Sequence, residues 1–418
     1  IGLPFSQNFI EAGSFGGSTF TTASTLPNGL TLSAAGVLGG TPTAIGTFPV
    51  VVTVTDGNGC TGTSTTYNLQ ITCNINPVVT NNSDNAVDSL RYAVATACSA
   101  PGQNTITFQP GPAAEEGIER PDAPDVTSPI SLSSGQIVLT RNVIIQGPGA
   151  NVLTVRNTAP QGPTSRVFAV NGGVTTTISG LTIAGGNTDG SVKGGGMFVQ
   201  GVLNLNDSAL SGNNAVTGGG MTVIGARAIA NIFRSTISGN TANFNSGVGT
   251  DPGGSMNLSL STVSGNNAGN GGAVFANAGT TVNITNTTIS GNNLGIDSNS
   301  GNVTIRGSVV ARNNAGGDDD LKGPAGSITS LGFNLIGNPG TFAGGTFPTG
   351  NPNANNDIVG SVGTPINPQL AALANNGGPT QTHALCVAIA VPDAACTGLS
   401  PAIDKGFCFT CGAPPNYD

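Results

Sequence analysis

A short phrase recurs along the middle of the chain: Leu-Thr-Ile-Ala-Gly-Gly-Asn (181–187), Ala-Leu-Ser-Gly-Asn-Asn (209–214), Thr-Ile-Ser-Gly-Asn-Thr (236–241), Thr-Val-Ser-Gly-Asn-Asn (262–267), Thr-Ile-Ser-Gly-Asn-Asn (288–293) and Val-Val-Ala-Arg-Asn-Asn (309–314). The apolar residues that mark it are Ile183, Leu210, Ile237, Val263, Ile289 and Val310, spaced by 27, 27, 26, 26 and 21 residues. Periods of this size are the signature of a solenoid. Each copy is too short and too polar to bury a face alone, but stacked copies share one core.

The content of a repeat says which solenoid. Thr281-Val-Asn-Ile-Thr-Asn-Thr-Thr-Ile289 alternates apolar and polar residues, as a strand does. Glycine runs at 194–196, 218–220 and 271–272 then turn the chain. No helical pattern lies between the strands, which excludes leucine-rich and α/β repeats and predicts a parallel β-helix. Its coils pair at about 4.8 Å, with Val, Ile and Leu inward and Thr, Ser and Asn outward. The Asn of each phrase returns to one place, so Asn187, Asn213, Asn240, Asn266, Asn292 and Asn313 are expected to stack as a ladder of hydrogen-bonded amides.

The flanks differ from the body. Residues 1–74 read as a small β-sandwich, short apolar segments alternating with turn signals. The phrases Leu26-Pro-Asn-Gly-Leu-Thr-Leu32, Gly36-Val-Leu-Gly-Gly-Thr-Pro-Thr43 and Gly46-Thr-Phe-Pro-Val-Val-Val-Thr-Val-Thr-Asp-Gly-Asn-Gly59 resemble the He_PIG-type immunoglobulin-like domain of bacterial surface proteins. That resemblance implies a spacer or adhesion module without catalysis. Asp56 is either a calcium ligand, as in related cadherin-like modules, or part of an Asp-Gly hairpin turn.

Residues 75–103 hold a linker and one helix with the stripe Leu90, Ala93, Val94 and Ala97, capped by Asp88 or Ser89. Ser89-Leu-Arg-Tyr-Ala-Val94, followed by Thr105-Ile-Thr-Phe108, resembles the opening segment of a group of bacterial extracellular right-handed parallel β-helix proteins. There the helix covers the first coil, whose open edge needs a cover. Arg91 is expected to pair on the helix surface. The β-helix is expected over 104–340 in about nine coils, and right-handed by the general rule for parallel crossovers. Residues 341–418 form C-terminal coils, loops and a disulfide-bearing cap. Within them Asn375-Asn-Gly-Gly-Pro-Thr-Gln-Thr-His-Ala-Leu385 and Ser400-Pro-Ala-Ile-Asp-Lys-Gly406 resemble the end of the same group, in which the chain usually runs further. The sequence therefore reads as a piece of a longer protein.

Composition bounds the function. Of 418 residues 65 are Gly and only 8% are charged, with a net charge of −8 and no Trp. No basic stripe offers itself to nucleic acid, and no run of about 18 apolar residues spans a membrane. The cysteines Cys60, Cys73, Cys98, Cys386, Cys396, Cys408 and Cys411 sit in the end regions. Disulfides of a secreted protein fit them better than zinc. Cys60–Cys73 and Cys386–Cys396 are the first expected pairs, and Cys408 and Cys411 form a loop bridge or pair elsewhere.

Candidate chemistry is sparse. Glycan cleavage on a β-helix needs converging carboxylates, or an acidic calcium cluster with a base. Asp318-Asp319-Asp320, near Lys322, is the only acidic cluster and the candidate calcium site; its competing reading is a solvated turn, because at most two alternating side chains share a face. His383 is expected in a structural hydrogen bond. No other cofactor is implied. These readings predict a secreted or surface-displayed structural or adhesive protein that binds itself head to tail, or surface glycans or proteins. The alternative is a polysaccharide lyase or glycoside hydrolase.

Overall fold

The computed structural model describes residues 1–13, 16–109, 126–190, 192–313, 319–387 and 396–403. From residue 78 onward the chain winds into a parallel β-solenoid with three long sheets, of ten, ten and eight strands. The first sheet runs from Val78–Val79 to Ile328–Ser330, the second from Ile130–Leu132 to Ile358–Val359, and the third from Ile137–Leu139 to Leu321–Lys322. Ten rungs at about 4.8 Å make a rod of about 40 Å. The parallel strands thus start ahead of the cap helix and continue beyond residue 340, so the body is longer at each end than 104–340.

The repeat phrase makes a corner. In Thr236-Ile-Ser238 the Ile237 side chain points inward and is fully buried. The following glycines, Gly212, Gly239, Gly265 and Gly291, all have φ between 62° and 74°. Only glycine adopts that conformation without strain, so the Gly of Ser-Gly-Asn turns the chain between the second sheet and the next loop. One strand earlier, Asp207, Arg234, Leu260 and Asn286 stack at a second left-handed corner. One continuous core of Val, Ile, Leu, Met and Phe fills the solenoid from Val79 to Val359.

Residues 5–71 form a separate antiparallel unit of three small sheets. Its own core holds Leu30, Leu38, Val50, Val52, Leu69 and Ile71, with Phe5, Phe9, Phe20 and Phe48 packed against them. Helix α1 (Leu90–Thr96) falls in sequence between the first two strands of the first sheet, which pair directly with each other. Ser89 caps it by accepting from the Tyr92 N–H. Cys73 and Cys98 form a disulfide that staples this junction. The expected Cys60–Cys73 pair is therefore corrected: Cys60 is free and exposed in the Asp56 turn. Residue 73 follows the sandwich's last strand and residue 98 follows α1, so the helix brings its own thiol to the linker. Cys386 and Cys396 are bonded to each other, while Cys408 and Cys411 lie outside the described residues.

Arg91 clamps the cap. Its Nε donates to Asp84 Oδ1 at 2.7 Å, Nη1 to the Gln136 carbonyl at 2.8 Å and Nη2 to the Gly135 carbonyl at 2.6 Å. Burial alone raises the Asp84 carboxyl, but hydrogen bonds from Arg91 and Ser134 and the Arg91 charge outweigh it, so it titrates below its ordinary value. A depressed carboxyl stabilises the fold above its unfolded pKa of about 3.9 and loses that contribution as pH falls through the folded value. Arg91→Met leaves a buried carboxylate unpaired and is expected to cost about 3 kcal/mol in denaturant titration near pH 7. The deficit is expected to shrink in acid.

The other end is closed too. Gly340–Phe342 forms a turn of 3₁₀ helix, and buried Phe342 and Phe347 meet edge to face, with centroids 6.4 Å apart. The hairpin of Leu370–Ala374 and Thr382–Leu385 then folds back along the outer face of the second sheet. There Thr236 Oγ1 donates to the Gln381 carbonyl at 2.5 Å and Thr380 Oγ1 to the Arg234 carbonyl at 3.3 Å.

Candidate functional site

The predicted amide ladder exists in part and in an unexpected place. Asn213, Asn240, Asn266, Asn292 and Asn313 point inward, each no more than 1% exposed. Every Nδ2 donates to the Oδ1 of the next rung, at 3.0, 2.9, 2.9 and 2.7 Å. The backbone N–H of each rung donates to the same oxygen. The outward orientation expected for Asn is thus corrected at this column. A polar side chain is tolerated inside because the left-handed glycine before it leaves strand N–H groups that need an acceptor.

Asn187 is not a rung. Strand register sets Gly186 opposite Asn213, and the Gly186 N–H donates to Asn213 Oδ1 at 3.0 Å. Asn187 instead accepts from Asn214 Nδ2 at 2.9 Å on the outside. The second glycine of Ala-Gly-Gly-Asn shifts its Asn by one position, which reverses its face.

The acidic cluster closes this ladder. Asn313 donates from N and Nδ2 to Asp320 Oδ1, at 2.8 and 2.9 Å, and Asn338 N donates to Oδ2 at 2.6 Å. Asp320 is 3% exposed. Burial pushes its carboxyl up, the N–H donors from Asn313 and Asn338 pull it down, and the Asp319 charge raises it again; it stays above the ordinary value. Both oxygens are engaged, so Asp320 terminates the ladder. Asp319 accepts from Asn338 Nδ2 at 2.9 Å, and Asp318 lies outside the described residues. Among the described residues no three His, Cys, Asp or Glu side chains gather around a metal position.

A second interior column, invisible in the phrase analysis, runs beside the first. The backbone N–H groups of Ser208, Ser235, Ser261, Thr287 and Ser308 donate to the side-chain oxygens of Ser235, Ser261, Thr287, Ser308 and Asn334. Asn334 in turn donates from N and Nδ2 to Asp357 Oδ1, at 2.8 and 3.0 Å. Asp357 is fully buried. Both columns donate toward the C-terminal end and both finish on a carboxylate, which satisfies the last donors as an anion does at a helix N-terminus.

His383 holds the folded-back hairpin. Its Nδ1 lies 2.7 Å from the Ala371 carbonyl and its Nε2 2.8 Å from Ser264 Oγ. A carbonyl only accepts, so Nδ1 carries a proton, while Nε2 is partnered by the Ser264 hydroxyl. Asp56 Oδ1 accepts from the Asn58 and Cys60 N–H groups at 2.9 Å each, within its hairpin turn.

The outward column of the third sheet carries side chains of another kind. Strand register aligns Phe198, Thr222, Gly249, Phe275, Asp297 and Lys322 on successive rungs. The Arg166 guanidinium lies 4.8 Å from the centroid of Phe198. Gly249 leaves room for Phe275, whose Cβ lies 3.3 Å from where a Gly249 Cβ would stand. Lys193, just before the strand Met197–Val199, reaches Asp251 Oδ2 at 2.5 Å, just after Val248–Thr250. That ion pair therefore crosses the sheet diagonally over two rungs. Asn277 Nδ2 donates to the other Asp251 oxygen at 3.1 Å. Burial raises the Asp297 carboxyl, partly offset by the Lys322 charge. The sequence signal was the middle residue of each short strand after the glycine run, in Met-Phe-Val, Val-Phe-Ala and Ile-Asp-Ser. A search for aspartate runs and Trp passes over it.

No helix among the described residues is long and apolar enough to cross a membrane. No curated protein and no solved structure matches the chain. Residues 2–72 match the family described as Putative Ig domain, so an immunoglobulin-like module leads into the parallel β-solenoid.

Proposed function

We propose that this chain is a structural or adhesive element displayed outside the cell, in which the solenoid is a stiff rod and the immunoglobulin-like module its spacer. The observation that carries this reading is the unbroken interior: one core and two hydrogen-bonded columns running to buried aspartates, with both ends covered. Two disulfides fit an oxidising compartment. Head-to-tail assembly belongs to the proposal in a narrower form. The covered coil ends leave the sandwich's edge strands, the fully exposed Thr61–Thr63 among them, as the pairing surface. Negative-stain images over a concentration series test it. Rods that lengthen with concentration support assembly, and single rods at every concentration leave adhesion alone.

A second reading, glycan cleavage by a lyase or hydrolase, is favoured by one observation: Asp297 is a solvent-facing carboxyl held above its ordinary pKa. Ultraviolet absorbance gained on uronate polymers would reveal a lyase, and release of reducing ends a hydrolase.

A further inference from the structure

We propose that the outward column of the third sheet binds a neutral, hydroxyl-rich polysaccharide laid along the solenoid axis, with Phe275 as its stacking surface and Asp297 and Lys322 as its hydrogen-bonding pair. This names a ligand class for the adhesive reading above and rests on that reading.

Asp297 stands between Phe275 and Lys322 in strand register. It is half-buried, yet no group among the described residues donates a hydrogen bond to its carboxylate. Its register neighbour Lys322 has the opposite charge, but the two do not form an ion pair; the pairs among the described residues are Arg91–Asp84, Lys193–Asp251 and Arg234–Asp207. A desolvated carboxylate normally has a donor. Asp297 keeps part of its surface exposed, and the Lys322 ammonium stands one rung away. A sugar hydroxyl satisfies both groups at once, donating to the carboxylate and accepting from the ammonium.

The surroundings suit such a chain. Phe275, next to Asp297 in register, is half-buried, and an aromatic face is the apolar partner that a ring's C–H groups need in water. The run from Phe275 through Asp297 to Lys322 spans about 10 Å, room for a short sugar segment; beyond it Thr222 is buried and the Lys193–Asp251 pair crosses the face. The other two faces are already engaged. The second sheet is partly covered by the chain's own hairpin. On the first sheet Asn204, Asn231, Asn257 and Asn283 satisfy one another. Charge selects the ligand class: Asp297 and Lys322 cancel, while the net charge of −8 repels polyanions.

Affinity electrophoresis of the full chain tests this, with gels containing soluble β-1,3-glucan, hydroxyethyl cellulose, galactomannan or polygalacturonate. Retardation is expected in at least one neutral polymer. Phe275→Ala and Asp297→Ala are each expected to weaken it about tenfold or more. Phe233→Ala on the first sheet serves as the control and is expected to leave it unchanged. Unshifted melting temperatures establish that the variants fold. The proposal is overturned by mobility unchanged in every neutral polymer, by retardation in polygalacturonate alone, or by wild-type retardation of both column variants. Release of reducing ends would also overturn it, by assigning the column to turnover. Rod assembly is read separately by microscopy, so failure here leaves the structural reading standing.

Discussion

Asn240→Leu is expected to lower stability by about 3 kcal/mol or more. Asn240 Oδ1 accepts two donors from Asn213, the backbone N–H at 3.0 Å and Nδ2 at 3.0 Å. Its own Nδ2 donates to the Leu210 carbonyl at 2.9 Å and to Asn266 Oδ1 at 2.9 Å. Leucine of similar volume removes the acceptor and leaves two donors unsatisfied where Asn240 is fully buried. Each such group costs roughly 1–3 kcal/mol. Asp320→Ala at the ladder's end is expected to cost about as much, because Asn313 and Asn338 lose three acceptor contacts. Asn231→Ala, on the outer ladder of the first sheet, is expected to cost less than about 1 kcal/mol, since water replaces the lost partner. Chemical denaturation followed by circular dichroism gives the three values. Hydrogen exchange locates the Asn240→Leu opening in the rungs around Leu210 and Ile237. Equal losses for the inner and outer variants would mean that burial of the column contributes nothing.

The second large effect is at the junction. Removing the Cys73–Cys98 disulfide by Cys98→Ser is expected to cost about 3.5 kcal/mol from the 25-residue loop it closes. The loss falls on one region, because α1 and the linker share this staple while the solenoid interior lies beyond it. Limited proteolysis is expected to begin between residues 74 and 104 in the variant, with the coils after Ile130 still resistant. Peptide mapping without reduction checks the pairing directly. Residues 73 and 98 are expected in one linked peptide, and Cys60 is expected to react with an alkylating reagent in the unreduced protein. A linked Cys60–Cys73 peptide would contradict the fold at this point.

The two cases divide along one physical line. A repeat writes the same local problem many times, so its answer is legible in the chain: the period, the strand alternation, the glycine corners and five of the six ladder amides all follow from the recurring phrase, with the amides at steps of 27, 26, 26 and 21 residues. The sixth, Asn187, fails because one extra glycine changes its face, and a face is defined only by register with the next coil. The sandwich module was legible for a different reason, the density of its turn signals.

What happens once is not repeated, so its partners are fixed by distance in space. Nothing near Cys73 in sequence points to Cys98. The helix supplies that proximity. Asp320 reads as a solvated turn residue, and Asp357 carries no signal at all, until the donors of two buried columns arrive at them. The hairpin around His383 covers Ser264, 119 residues earlier, only because the chain reverses at the end of the rod. The column that joins Phe275, Asp297 and Lys322 draws one residue from each of three coils. Sequence alone set the stacking, since every coil buries its apolar residues against its neighbours. The tertiary structure decided what stops the stack, what covers it and which face is left for a ligand, because those contacts join residues that no period relates.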